Sequence, residues 1–447
     1  MIKHAVYFIL LFNCLVFAQH SADQNLSVDK WTYLQIDSTR KHIGSLDKTW
    51  LRAFGLTAVD VNGDGFQEIA SGRYFYQNPT ACMNGNWNRV DFGIDLDAML
   101  AVDVDGDEYA DLIATELPSV FWLEAQDEFG NEWHATHIAY LPKTGHVNGQ
   151  GYQKAQLVKG GKPEIILAAG DGIYYLSIPD EPLSQLWPSV PIVQRPDVMD
   201  EGIGIGDLDG DDDLDIAVGV HKEEDYSIHW FENPGDGSGN WEGHLVSTET
   251  TIPDRIVVEE LNGDDLPDIA VSEERYPGKE PNANLYWFEH PGNAKQPDWT
   301  RHHLLTEYSL NNLGAGDIDK DGDIDLVTNE HKGTEHKLHL FENNGQGHFT
   351  DHIIDRGKEM HLGCQLSDLD SDGDLDIFGT GWDEPRYMHV WRNDAMSNPK
   401  PVSFTHLTTM NYGELPMANV GRQASAIVFD IDKDGTDDVV IAGWSHP

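Results

Sequence analysis

Oxygen-bearing side chains recur in this chain at the first, third, fifth and ninth places of a nine-residue stretch. The fullest version is DLDGDDDLD, with Asp207, Asp209, Asp211 and Asp215. Near-copies supply Asp60, Asn62, Asp64 and Glu68; Asp103, Asp105, Asp107 and Asp111; and Glu260, Asn262, Asp264 and Asp268. Three more supply Asp317, Asp319, Asp321 and Asp325; Asp368, Asp370, Asp372 and Asp376; and Asp430, Asp432, Asp434 and Asp438. A worn eighth copy, QLVKGGKPE from Gln156, has no carboxylate at its first, third or fifth place. Alternating oxygens around a Gly that lets the chain turn sharply suit a hard divalent cation. Calcium, which takes roughly six to eight oxygens in irregular geometry, fits better than magnesium with its tight octahedron. The last acid arrives at the ninth place, where an EF-hand loop waits until about the twelfth.

The elements that must hold these loops are strands. Gly202-Ile203-Gly204-Ile205 precedes the loop at Asp207 and Ile216-Ala217-Val218 follows it, runs too short for helices. An aromatic third strand comes next, as in Ile228-His229-Trp230-Phe231-Glu232, then a Pro or Gly turn and an alternating fourth strand from Trp241 to Val246. The repeats at Glu260 and Asp317 continue in the same way. One four-stranded sheet cannot bury both faces, so the copies must stack, and radial stacking gives a β-propeller. The predicted fold class is therefore all-β: residues 1–18 a signal peptide, 19–30 a short leader, 31–447 one propeller. Eight loop copies predict eight blades, and seven if the third repeat is an insertion. Trp31 to Asp37 reads as a fourth strand with nothing before it, and Ala424 to Ala442 as two strands with no fourth. Joining them predicts a clasp that closes the last blade.

The charge balance narrows the partners. With 29 basic against 77 acidic residues and a formal net charge of -48, the chain has no clustered Lys and Arg for phosphates, which excludes nucleic acid. Lys3 followed by an apolar stretch from Ala5 to Ala18 is too short to span a membrane and reads as a secretory signal, so the protein is expected to be secreted or periplasmic and a monomer. Cys14, Cys82 and Cys364 offer no disulfide framework. No GxSxG, HExxH or Gly-rich phosphate cradle is present, so a serine triad and nucleotide use have no support.

The DxDGDxxxD loops between short strands, together with the WFENPG-like tails, resemble the FG-GAP/VCBS calcium-binding propeller repeats over about Trp31 to Pro447. The resemblance implies structural calcium. Members of the family include adhesive propellers and propellers of secreted sugar-active enzymes, among them rhamnogalacturonan lyases, aldos-2-ulose dehydratases and proteins of marine polysaccharide degradation. It thus implies a lyase or dehydratase acting on uronic-acid-bearing, ulvan-like oligosaccharides. The alternative is a non-catalytic propeller that binds glycan or protein. Fold alone does not choose.

If the calcium loops gather on one face, the connections between second and third strands gather on the other. Six residues beyond each ninth place stand Tyr74, Leu117, Gly170, His221, Glu274, His331, Trp382 and Trp444. His221, Glu274 and His331 come from successive repeats and could hold a second divalent metal or divide acid and base work. Lys222, Arg275 and Lys332 beside them suit an anionic oligosaccharide or polysaccharide. The connections between blades add Arg52, His146, Tyr152, Glu201, Arg255, His361 and Arg422. His146, Tyr152, His221, His331, His361 and Glu274 are the candidates for removing a proton next to a carboxylate and protonating the leaving oxygen, with Arg255 or a metal neutralising that carboxylate. Against these stands a plainer reading. His229, His336 and His339 belong on or beside third strands as structural groups, and the Trp and Phe of the WFEN segments belong in the core.

Overall fold

In the computed structural model the described residues are 26–41, 53–80, 83–107, 109–146, 148–223, 225–383 and 386–396, with the backbone of 422–429 and 438–444. Among them are seven antiparallel four-stranded sheets and one two-stranded sheet. Blades 1 to 6 occupy 57–91, 97–140, 152–194, 198–247, 253–307 and 314–355, each with its strands in chain order from the inside outward. Blade 7 takes its three inner strands from 362–393 and its outermost strand from Trp31–Asp37. Trp31 pairs with Asn393 and Tyr33 with Trp391 along that edge.

The core explains the count. Along a strand, successive side chains point to opposite faces, so each blade sends alternate residues to its two neighbours. Trp230 joins a buried cluster with Ile256, Val271 and Phe288 of blade 5, whereas Phe231 joins one with Ile166 and Tyr175 of blade 3. Seven large clusters result, one for each junction, including one between blades 7 and 1 that carries Phe378, Val390, Leu56 and Tyr76, with Leu34 and Ile36 of the outer strand against it. The ring therefore closes at seven. Trp230, Phe231, Trp287, Phe288 and Phe341 lie buried between blades, as the plainer reading expects.

Two expectations are corrected here. The repeat at Gln156 is a full blade, while the one at Asp430 is not. Among the described residues, Arg422–Phe429 and Asp438–Trp444 pair only with each other, and they belong to a second compact unit, Lys400–Pro447. The clasp strand Trp31–Asp37 accordingly completes the blade of 362–393, because that sheet supplies three strands and a free outer edge at Met388–Asn393. The signal peptide, Arg52, and the loop residues Asp430, Asp432 and Asp434 lie outside the described residues, as do the side chains of Arg422, Asp438 and Trp444. No helix among the described residues is long and apolar enough to cross a membrane.

Candidate functional site

Each acidic loop is built on its own carboxylates. The first-place acid caps the turn: Asp207 accepts from the backbone N–H groups of Gly210, Asp211 and Asp212 at 2.8, 3.1 and 3.0 Å. The fourth and sixth places adopt positive φ, at Gly210 and Asp212 here and at Lys320 and Gly322 in blade 6. Asp tolerates that conformation better than most side chains, which is why the second Gly of the pattern is dispensable. The ninth-place acid does something the spacing does not announce. Asp215 accepts from Leu208 N at 2.9 Å and from Asn233 N at 2.8 Å, and Asp325 accepts from Ile318 N and Asn343 N at 3.0 and 2.8 Å. Glu164 of the worn repeat, with no partner acids, still accepts from Leu157 N at 2.9 Å. This position is thus a folding staple whatever the loop binds, and burial pushes Asp215 and Asp325 up to about 7.

The donor sets fit a hard cation. In Asp103, Asp105 and Asp111, in Asp207, Asp209 and Asp215, and in Asp317, Asp319 and Asp325, ligand oxygens lie within 4.8 Å of one another. Asp209 Oδ1, Asp319 Oδ2 and both oxygens of Asp370 are buried without a hydrogen-bond partner, as third-place ligands would be.

A cleft of ≈ 480 Å³ is lined by Phe54, His146, Gln150, Glu274, Arg275, Tyr276, His331, Lys332, His361 and Trp382. It brings together His146, Glu274, His331, His361 and Trp382 from the predicted set. Its aromatic wall is continuous: Phe54 stacks on Trp382 at 5.7 Å, Trp382 on His361 at 4.7 Å, and His361 meets His331 edge-on at 4.5 Å. His331 Nδ1 lies 2.6 Å from Glu359 Oε1, and Glu359 Oε2 accepts the backbone N–H of Trp382 at 2.9 Å. Burial, reinforced by Asp383, raises Glu359 to about 8, while burial and Lys332 lower His331 to about 3. At neutral pH the pair therefore carries no net charge, with its proton between Oε1 and Nδ1. Burial and the neighbouring His331 hold His361 well below the usual histidine range, and its Nδ1 has no hydrogen-bond partner.

Backbone packing fixes these groups. Asp97, wholly buried, accepts from Phe54 N and Gly55 N at 2.7 and 2.8 Å. His331 N donates to Ser309 O at 2.8 Å and His361 N to Thr380 O at 3.0 Å. Inner strands approach so closely that a Cβ on Gly202 would come within 2.5 Å of Asp254 O, so only glycine fits. Glu201 and Asp254 are thereby carried side by side on consecutive blades, next to Arg255.

The rest of the predicted set is placed otherwise. His221 leaves the cleft: it is exposed and stacks on Tyr226 at 4.1 Å, because its blade's second strand runs on through Lys222. Tyr152 and Arg255 line a narrower channel beside Phe54 and Gln150. Tyr152 is not available for proton transfer; its hydroxyl donates to Phe54 O at 3.1 Å and accepts from Leu56 N at 3.0 Å, and burial raises its pKa. Arg255 donates to Gln150 Oε1 at 3.0 Å and pairs with Asp254 at 2.8 Å. Tyr74 and Leu117 are core residues. Arg275 is paired with Glu273 and Lys332 with Asp383, so two of the three cations meant for an anionic substrate already have partners. His339 bonds Asp351, and His244, His302 and His352 each bond the Glu of a WFE-type segment, all structural roles. Sequence reasoning missed Phe54, Gln150, Asp200, Asp254 and Glu359. The one available signal was position, since each lies just before or at the start of an inner strand.

A model of the FG-GAP-like repeat matches residues 207–271 and 260–328. The chain carries FG-GAP-like repeats. No curated protein matches it in sequence. Among solved structures it is similar to an Agrocybe aegerita lectin described for recognition of non-reducing terminal N-acetylglucosamine (14% identity, TM-score 0.45, 67% of this chain and 79% of that one). It is also similar to the Photorhabdus luminescens Tc holotoxin pore (12%, TM-score 0.37, 81% of this chain and 18% of that one).

Proposed function

We propose that this propeller is a secreted carbohydrate-active enzyme that performs elimination on uronic-acid-bearing oligosaccharides, as a lyase or dehydratase, with calcium stiffening its loops. The observation that carries the reading is one cleft in which an aromatic wall stands beside two buried histidines, one of them hydrogen-bonded to the largely buried carboxyl of Glu359. A sugar face packs on Trp382, which the buried Phe54 ring backs from behind, since apolar ring faces suit aromatic platforms. Elimination then needs a base for the proton next to the substrate carboxylate and a donor for the leaving oxygen. His361, held neutral, is the base. His331 is the donor: its Nε2 proton passes to the leaving oxygen as its Nδ1 takes the Glu359 proton, so His331 stays neutral while Glu359 is left as the carboxylate and His361 as the imidazolium. The carbon–oxygen bond breaks as the carbon–carbon double bond forms. Glu274 positions substrate hydroxyls, whereas Arg255, held by Asp254 and Gln150 in the narrower channel, is not placed to meet the substrate carboxylate.

The test is a panel of uronate-bearing oligosaccharides read by mass. Loss of one water indicates a dehydratase and chain cleavage a lyase. Saturable binding with no mass change on any member would replace the enzyme reading by a glycan-binding propeller, for which the same aromatic wall suffices.

A further inference from the structure

We infer that His146, Asp200 and Glu201 form a site for one divalent transition-metal ion of the zinc class, beside the cleft and distinct from the acidic loops. One ligand atom from each lies within 4.8 Å of the other two. Donors about 2.0–2.2 Å from a shared zinc-class ion sit within roughly 4.4 Å of one another, so a small side-chain adjustment closes the set. A second observation is independent of the spacing. Asp200 Oδ2 and Glu201 Oε2 are both shut off from water and both lack a hydrogen-bond partner. A buried carboxylate oxygen without a donor is costly unless a cation meets it.

Charge points the same way. Around Glu201 stand Asp200, Asp254 and Glu274, with Arg255 the neighbouring cation. Arg255 is already engaged by Asp254 and Gln150. A divalent ion supplies the missing positive charge. The imidazole in the donor set favours a zinc-class ion over calcium or magnesium, which prefer oxygen alone. The backbone holding the set is firm: Gln150 N and Gly151 N both donate to Asp200 O, at 2.7 and 2.9 Å. Three protein ligands leave an open position, as catalytic zinc sites do. In supplying charge for a substrate carboxylate the ion would serve the elimination proposed above, and in that respect the inference rests on that reading.

The experiment uses the full chain, stripped by chelator, refilled with excess calcium and titrated with Zn²⁺ by calorimetry, without sugar. One saturable zinc per chain is expected. His146→Ala and Glu201→Gln should each weaken it by about 10- to 100-fold, while Asp209→Asn in a loop leaves it unchanged. Absence of a saturable zinc, or equal zinc binding by parent and both variants, overturns the site. Should a variant fail to fold, Co²⁺ added to the parent decides instead: visible bands of a nitrogen–oxygen site support the assignment, and an octahedral aqua-like spectrum refutes it. Zinc binding in a chain inert toward the sugar panel would retain the metal site and remove the elimination reading. Turnover in a zinc-free chain that binds no zinc would do the reverse.

Discussion

Asn343→Ala probes the contact that joins one blade to the next. Asn343 follows the Leu338–Glu342 strand of blade 6, and its Nδ2 donates to Leu261 O of blade 5 at 3.0 Å and to Ile324 O of its own loop at 3.1 Å. Asn233 repeats the device against Leu157 O at 2.9 Å, His290 against Leu208 O at 3.0 Å, and Asn78 against Leu369 O at 2.8 Å. Truncation removes these two hydrogen bonds and a third, from Asn344 N to Asn343 Oδ1 at 2.9 Å. At about 0.5–1.5 kcal/mol per bond the loss is about 1.5–4.5 kcal/mol. Unfolding entropy near 2.1 cal/mol/K per residue over about 360 residues converts this into a fall in melting temperature of about 2–6 °C. Calorimetry in saturating calcium keeps loop occupancy fixed. Asn233→Ala should behave alike, and the double variant should show the sum, because the sites are far apart. Melting of Asn343→Ala within about half a degree of the parent would refute the clamp.

Three further outcomes are expected. Chelation should lower the melting temperature, since a ligand held only by the folded state stabilises it; an unchanged curve, with metal analysis showing no calcium left, contradicts this. Deleting 26–37 should bare the edge of Met388–Asn393 and strip Leu34 and Ile36 from the junction of blades 7 and 1, giving lower stability and self-association; a monomer of parental heat stability contradicts it. Glu359, raised from 4.5 to about 8, contributes stability fully present below pH 4.5 and lost as pH rises to about 8, whereas His331, lowered from 6.5 to about 3, contributes stability lost as pH falls below 6.5. The two slopes cancel between 4.5 and 6.5, so Glu359→Gln should flatten the fall in melting temperature between pH 6.5 and 8, and a parental slope in that variant refutes the assignment.

The fold was legible because its repeats state their strands twice, once in the loops and once in the aromatic tails. The blade count was not, since a loop motif marks a two-stranded hairpin as readily as a blade. The copy at Asp430 has the better motif, yet the strands on either side of it pair with no third strand among the described residues, while the copy at Gln156 has almost none and makes a blade. What a blade requires is the apolar alternation that fills two junctions. Counting places beyond the motif found Glu274, His331 and Trp382, where the connections are of similar length. It misplaced His221, where a longer strand carries the side chain out. Glu359 and Asp200 had only their places near inner strands to mark them, because their importance comes from burial and from neighbours distant along the chain.

The central claim is that the His331, His361 and Trp382 cleft carries out chemistry on sugar. The most direct measurement is turnover of a uronate-bearing oligosaccharide, followed by mass and by the absorbance of the new double bond. It compares the parent, His361→Ala and His331→Ala, with melting curves confirming that all three fold. The account predicts product from the parent and a fall of about 100- to 10,000-fold in each variant, the usual worth of a general acid or base. Near-parental turnover in both folded variants, or binding by the parent without any product, would contradict it.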